Sequence, residues 1–292
     1  MKRIFLTAII PDWFYAGRTI RKARVSSFFS NKKLLQPPIR RAAHSDRTAW
    51  IMAEHSKLAY ERDLKKLRQY LKAGGFQLVQ TFDRNETQAY LARCKDYMVL
   101  AFRGTEPQQL RDIWTDLKFT PFKKERCVMH EGFYEAYRDI EKELVGAVRK
   151  INLPLYVTGH SLGGALALIA VMYLPDMDWT AACYTFGGPK VGDDDFTDGL
   201  FKVPVYRTVN SSDIVPSLPP FWLALFGVNY QHAGDMRYLT RRGDMVIGIR
   251  GYLLYVWELA KSMLPFWWSR LVEDHSMDDY RHKLLRVASD KK

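Results

Sequence analysis

Leu155-Tyr156-Val157-Thr158-Gly159-His160-Ser161-Leu162-Gly163-Gly164-Ala165-Leu166-Ala167 reads as a short apolar strand that turns abruptly into a helix. Residues 155–158 suit a buried strand, and the pattern from Leu162 to Leu174 suits a helix. Between them, Gly159 and Gly163 frame Ser161 in the G-x-S-x-G pattern. Side chains two residues either side of the serine would block so tight a turn. The turn in turn forces the serine backbone into strain that exposes its hydroxyl. Gly163, Gly164, Ala165 and Ala167 let the helix approach a sheet closely, and its N-terminus offers free N–H groups beside Ser161.

Working outward, strands are expected at Phe76–Phe82, Ala89–Cys94, Asp96–Phe102, Ala181–Phe186 and Val205–Val209. Helices are expected over Trp50–Tyr60, with Asp46 or Thr48 as cap, and up to Ala73, where Gly74-Gly75 stops the second. A further helix is expected over Glu131–Lys150. Strands alternating with helices predict an α/β fold, a mostly parallel central sheet flanked by helices. The expected organisation is a basic N-terminal extension, residues 1–46, and one α/β domain, residues 47–292, with no internal repeat.

Composition excludes several classes. The 292 residues are 47% hydrophobic and 26% charged, which rules out a disordered or collagen-like chain. Three cysteines, Cys94, Cys127 and Cys183, are too few and too scattered for a disulfide scaffold and are expected to pack as small hydrophobes. No run of about 18 apolar residues suggests a membrane span. The net charge is +12, and its distribution is uneven. In residues 1–50, eleven Lys and Arg face two acids, Asp12 and Asp46, leaving +9 there. The Lys2-Arg3 start and its apolar stretch imitate a signal peptide, but Pro11-Asp12-Trp13 ends the stretch without a small-residue cleavage site. A cytoplasmic or peripheral-membrane location is therefore favoured over secretion. The sequons at Asn85 and Asn210 would matter only in a secreted chain. No residue cluster has metal-ligand spacing, and no phosphate-binding glycine loop is present.

Six further blocks occur in order with the serine turn: Phe102-Arg103-Gly104-Thr105, Leu110–Leu117, His130-Glu131-Gly132-Phe133-Tyr134, Thr185–Gly192, Tyr206–Pro216 and Asp274-His275-Ser276. Together, from about Trp50 to Tyr280, the chain resembles the class 3 (fungal-type) lipase family of the α/β-hydrolases. The resemblance implies an α/β-hydrolase fold with a lid helix, and a serine ester hydrolase that needs no cofactor.

A serine needs a base to take its proton and an acid to orient that base. In this fold they follow in the order Ser, acid, His. His44, His55, His130 and His160 fail on order. His160, inside the turn, is expected to be a structural hydrogen-bonding group. Of His232, His275 and His282, the family's terminal Asp-His pattern selects His275. His275 also lies in a short polar break, whereas His282 sits among charges in a final helix. Asp213 follows a strand at its carboxyl end, where α/β sites assemble. Asp193, Asp194 and Asp195 compete but read as a solvated turn or helix start. The family pattern also places the acid at Asp213. The oxyanion hole is expected from the backbone N–H of Leu162 and, by the resemblance, that of Thr105. Arg103 is expected to make a structural ion pair under that loop.

Residues 107–120 carry Leu110, Ile113, Trp114 and Leu117 at i, i+3, i+4 and i+7, one apolar stripe on a short helix. Directly after the Thr105 loop, such a helix is a lid in the resembled family. Phe221–Phe226 and residues 245–268 are also apolar, and residues 252–268 hold six aromatics. They suit either core packing or an acyl-chain groove or interfacial surface. The expected substrate is an acylglycerol or other lipid ester, with a possible anionic membrane surface met by the basic N-terminus, and no nucleic acid partner. Phospholipase A and thioesterase activities would use the same parts. A catalytically inactive, peripheral lipid-binding protein is the alternative outside enzymes.

Overall fold

The computed structural model describes residues 27–35, 43–85, 87–105, 120–174, 180–227, 229–263 and 269–290. The lid residues Leu110, Ile113, Trp114 and Leu117, and residues 1–26 of the basic extension, lie outside the described residues.

Eight strands form the main sheet in the order β1-β2-β3-β6-β7-β8-β9-β10. They are β1 (Gln77–Arg84), β2 (Thr87–Arg93), β3 (Met98–Phe102), β6 (Leu155–His160), β7 (Thr180–Phe186), β8 (Val205–Asn210), β9 (Asp235–Leu239) and β10 (Met245–Ile247). From β3 to β9 neighbours run parallel, and β1, β2 and β10 add antiparallel edges. A separate hairpin pairs β4 (Pro121–Lys124) with β5 (Cys127–His130). Of the parallel strands, β3, β6, β7 and β8 lie within two residues of their expected positions. The hairpin and β9, whose short segments carry little apolar signal of their own, were not foreseen, while β10 falls at the start of the apolar stretch 245–268.

The period of two along β3 divides the core. Met98, Leu100 and Phe102 enter one cluster, packed under α3 (Glu131–Val148) and α4 (Leu162–Tyr173). Val99 and Ala101 enter the other, under α1 (Asp46–Leu58) and α8 (Met277–Asp290). Burial on both faces explains why the central strands read as unbroken apolar runs. Helix α2 (Leu64–Ala73), capped by Asp63, buries Leu67 and Leu71 in the α1 layer. The short α5 (Asp194–Gly199) is capped by Asp193, as the acidic run there suggested. Helix α6 (Gly248–Ser262) lies on the face of β9 through Tyr255 and Tyr238, and α7 (Ser269–Glu273) leads to α8.

Helix α8 is fastened to α1 inside the protein. The guanidinium of Arg281 donates twice to Glu54 at 3.1 Å, and the backbone N–H of Phe29 donates to the same carboxylate at 3.0 Å. Phe29 is fully buried and Leu34 nearly so, so packed structure reaches back beyond the expected boundary at residue 47. Cys127 and Cys183 are buried and Cys94 partly so, all as free thiols. Asn210 is buried with its amide donating to Asp274 and Asp279, which closes that sequon to modification. Among the described residues, no helix is long and apolar enough to cross a membrane.

Burial holds two histidines neutral, with His55 lowered to about 3 and His130 to about 4. As pH falls from 6.5 toward 4, the unfolded chain takes up protons that these folded imidazoles refuse. Stability should therefore fall, by up to about 1 kcal/mol per histidine for each pH unit. Denaturant titrations at a series of pH values check this. A midpoint that stays constant over that range would contradict it, and His55→Gln should flatten the dependence.

Candidate active site

The turn after β6 has the predicted geometry. Ser161 sits at φ 57° and ψ −128°, a strained conformation for a side-chain-bearing residue. A Cβ on Gly159 would lie 2.0 Å from the Gly163 carbonyl oxygen, and one on Gly163 would lie 2.5 Å from that of Phe102. Only glycine permits these approaches, which is the physical content of G-x-S-x-G. The Ser161 N–H donates to the Phe186 carbonyl at 3.0 Å, tying the turn to the end of β7. Leu162 is the first residue of α4, so its N–H belongs to the unbonded start of that helix.

Thr105 is buried just beyond the end of β3. The preceding Gly104 lies so close to the turn that a Cβ there would come within 3.2 Å of the Ser161 Cβ and 2.3 Å of the His160 carbonyl oxygen. The Arg103 guanidinium donates to Gln88 at 2.9 Å and lies over the Tyr60 ring.

Asp213 follows β8, and His275 lies between α7 and α8. Sixty-two residues apart in sequence, they meet: His275 Nδ1 is 2.8 Å from one Asp213 carboxylate oxygen and 3.0 Å from the other. A carboxylate only accepts, so Nδ1 carries the proton and Nε2 is left as the acceptor. Ser161 Oγ and His275 Nε2 are both buried, and neither has a hydrogen-bond partner among the described residues. The competing histidines are otherwise placed. His232 donates to the Pro216 carbonyl, and burial lowers its basicity far below normal. His282 is exposed on α8. Asp193, the start of the acidic run, caps α5.

Asp213 is more fully bound than the sequence suggested. Tyr280 donates to it at 2.6 Å and accepts from the Asn210 N–H at 3.0 Å, which fixes the direction of the hydroxyl. The Val215 N–H donates to its other oxygen, and Tyr255 donates to its carbonyl. Burial raises the Asp213 carboxyl, while His275 and Tyr280 oppose that shift by stabilising the anion. Asp274, beside His275, accepts from both the N–H and hydroxyl of Ser212, beside Asp213, so the two loops are laced together. His160 donates from Nε2 to the His275 carbonyl and accepts at Nδ1 from Tyr60, at 2.9 Å each. This matches the structural role expected of it. Tyr255, Tyr280 and Asp274 were not singled out as site residues beforehand. A tyrosine among apolar neighbours, or an acid beside the chosen histidine, carries no distance information in one dimension.

A buried hydroxyl on a strained turn at a helix start, with an imidazole oriented by a carboxylate, is an arrangement suited to nucleophilic acyl transfer. Among the described residues, no His, Cys, Asp and Glu group could hold a metal ion.

Comparison with known proteins agrees with this chemistry. The sequence model of the family Lipase (class 3) matches residues 99–222. A model of the phage integrase N-terminal SAM-like domain also matches residues 49–99, but about a third of that stretch is strand paired into the main sheet. The chain is 33% identical to a lipase of Rhizomucor miehei over 198 residues, covering 62% of this chain and 53% of that one. It is 37% identical to a secreted mono- and diacylglycerol lipase of Fusarium solani over 120 residues, covering 39% and 34%. The chain thus spans about half or less of these relatives. In three dimensions it is similar to a triacylglycerol lipase whose catalytic centre is a serine protease triad, with TM-score 0.60 and 27% identity over 70% of this chain and 84% of that one.

Gly187, at φ +56°, backs directly onto the pair: a Cβ there would lie 2.5 Å from Asp213 and 3.0 Å from His275 Nδ1. Gly187→Ala should separate them and slow labelling of Ser161 by a fluorophosphonate about 100-fold, the typical effect of a misplacement near 1 Å. Gly188→Ala, with only ordinary contacts at 3.6 Å, should label at nearly the normal rate. Equal labelling of both variants would contradict the arrangement.

Proposed function

Since the chain belongs to the class 3 lipase family and has the α/β-hydrolase fold, we propose that it is a serine carboxylic ester hydrolase that cleaves acylglycerols. One observation carries the reading: the Asp213–His275 contact, with both Ser161 Oγ and His275 Nε2 buried and without partners. Ser161 attacks the ester carbonyl carbon while His275 Nε2 takes its proton. Asp213 holds the imidazole in the required tautomer and stabilises the imidazolium. The N–H groups of Leu162 and Thr105 receive the tetrahedral oxyanion. His275 then passes the proton to the leaving alcohol, and water, activated by the same imidazole, releases the fatty acid from Ser161. No step calls for a cofactor.

The amphipathic segment 107–120 serves as a lid, since it directly follows the Thr105 loop. Residues 1–26 draw the enzyme toward anionic lipid, because they carry six basic residues against one acid, beside Ile4-Phe5-Leu6 and Trp13-Phe14. The catalytic unit spans the α/β domain that follows.

Ser161→Ala and His275→Ala should each lower kcat by about 10⁴–10⁶, and the double variant should fall little further, because the residues act as a unit. A panel of a short-chain ester, triolein, phosphatidylcholine and an acyl-thioester tests the substrate class. Preference for phosphatidylcholine or the thioester would redirect the reading to a phospholipase A or a thioesterase. Absence of both turnover and fluorophosphonate labelling would leave a non-catalytic lipid-binding protein. A rate jump above triolein saturation that Trp114→Ala abolishes would support the lid. Deleting residues 1–26 should weaken binding to anionic vesicles, by up to about 1 kcal/mol per basic residue lost, and spare hydrolysis of the soluble ester. Unchanged vesicle binding would remove that role.

A further inference from the structure

Behind the catalytic loop lies a second polar site that ester hydrolysis does not use. It is a groove of 480 Å³ between β8, β9 and the start of α6, with Arg207, Ile247, Gly248, Ile249 and Tyr252 in its lining. Arg207 projects from β8 toward α6, on the sheet face that also carries Val209 and Tyr238. It makes no hydrogen bond or ion pair among the described residues, and its Nε is shut off from solvent. Other enclosed cations have partners. Arg281 meets Glu54, and the Lys190 ammonium donates to the Pro219 carbonyl. Burial lowers the basicity of both Lys190 and His232, and the Arg207 charge adds to the effect. Burial lowers even the Arg207 guanidinium, to about 10. Asp235 also lines the groove and its charge favours the protonated guanidinium, but it is largely exposed to solvent and faces Arg237 at 3.5 Å.

The other wall supplies further donors. α6 begins at Gly248 in this groove, its N-cap is Ile247, and no side chain caps its first N–H groups. An uncapped helix start beside an unpaired guanidinium is a site for a phosphate-type anion. The same helix determines which kind. Ile249, Tyr252, Leu253, Val256 and Trp257 form an exposed apolar stripe, with Ile249 73% and Trp257 62% accessible. This stripe begins at the lip of the groove, and Arg250 and Lys261 flank it. A free phosphate would have no use for such a stripe, whereas a phospholipid presents its phosphate directly above hydrocarbon.

We infer that the Arg207 groove binds the phosphate of an anionic phospholipid while the outer stripe of α6 enters the lipid surface. Tyr255, on the inner face of α6, donates to the Asp213 carbonyl, so the docked helix is also the one that braces the catalytic acid. The inference deepens the lipid-surface reading above, but its test does not depend on hydrolysis.

The full chain and its Arg207→Gln and Arg207→Lys variants would be titrated with phosphatidylcholine vesicles with and without phosphatidic acid, and with a phosphate-free triolein emulsion. Thermal melts with and without inorganic phosphate would run alongside, and the melts without phosphate establish that each variant is folded. Arg207→Gln should bind phosphatidic acid vesicles about tenfold more weakly, the typical effect of losing a charge-assisted hydrogen bond, and should bind the emulsion normally. Arg207→Lys should recover part of the loss, and phosphate should raise the Tm of the unaltered chain but not that of Arg207→Gln. Equal vesicle binding by Arg207→Gln and the unaltered chain would overturn the inference. So would a phosphate-dependent Tm without a vesicle difference, which would indicate a site for free anions. If Arg207→Gln does not fold, Ile249→Asp with Leu253→Asp tests the stripe, and undiminished vesicle binding by that variant would equally overturn it. Failure of the ester panel with these binding differences intact would reject the hydrolase reading alone.

Discussion

Everything at the site depends on how closely backbone can approach backbone at the Ser161 turn. The loop after β3, the turn after β6 and the end of β7 converge there at distances that no Cβ would allow, and Gly104, Gly159, Gly163 and Gly187 occupy the points of contact. The convergence permits the positive φ of Ser161 and places its hydroxyl at the start of α4. It also brings the Gly104–Thr105 loop against the nucleophile. The strain of one residue is held by the burial and pairing of three parallel strands, each closed on both faces by a helix layer.

The carboxylate of Asp213 is the second organising point. It accepts from an imidazole, a phenol and a backbone N–H, and those donors come from three separate places in the chain. An enclosed carboxylate with so many donors stays ionised despite the cost of burial, and its partners are fixed in direction by their own bonds. His275 is held from both ends, by Asp213 at Nδ1 and by His160 at its carbonyl. The Glu54–Arg281 pair, by locking α8 to α1, supports the helix that carries Tyr280. Arg207 is the opposite case, a guanidinium that makes no hydrogen bond or ion pair among the described residues.

Much of this was legible in one dimension. The strands β3, β6, β7 and β8 could be read because burial on both faces makes them continuous apolar runs, and α4 because its small residues record a close approach. Ser161, Asp213 and His275 could be ordered along the chain because the fold imposes that order. The short strand β9 escaped notice, because its stability comes from its neighbours β8 and β10 rather than from local propensity. The N-terminal boundary was misplaced for a related reason. Phe29 sits in the expected basic N-terminal extension, yet it is buried against α1, and its backbone N–H donates to Glu54.

By itself, then, the sequence determined the fold class, the nucleophile turn and the succession of catalytic residue types. These are local patterns, in which a glycine or a period of two has one physical meaning wherever it occurs. The tertiary structure alone decided how closely His275 meets Asp213, that Tyr280 and Tyr255 brace the acid, and that Arg207 makes no hydrogen bond or ion pair among the described residues. Pairings across 42 to 67 residues depend on how the sheet and helices stack, and that information resides in distances rather than in order along the chain.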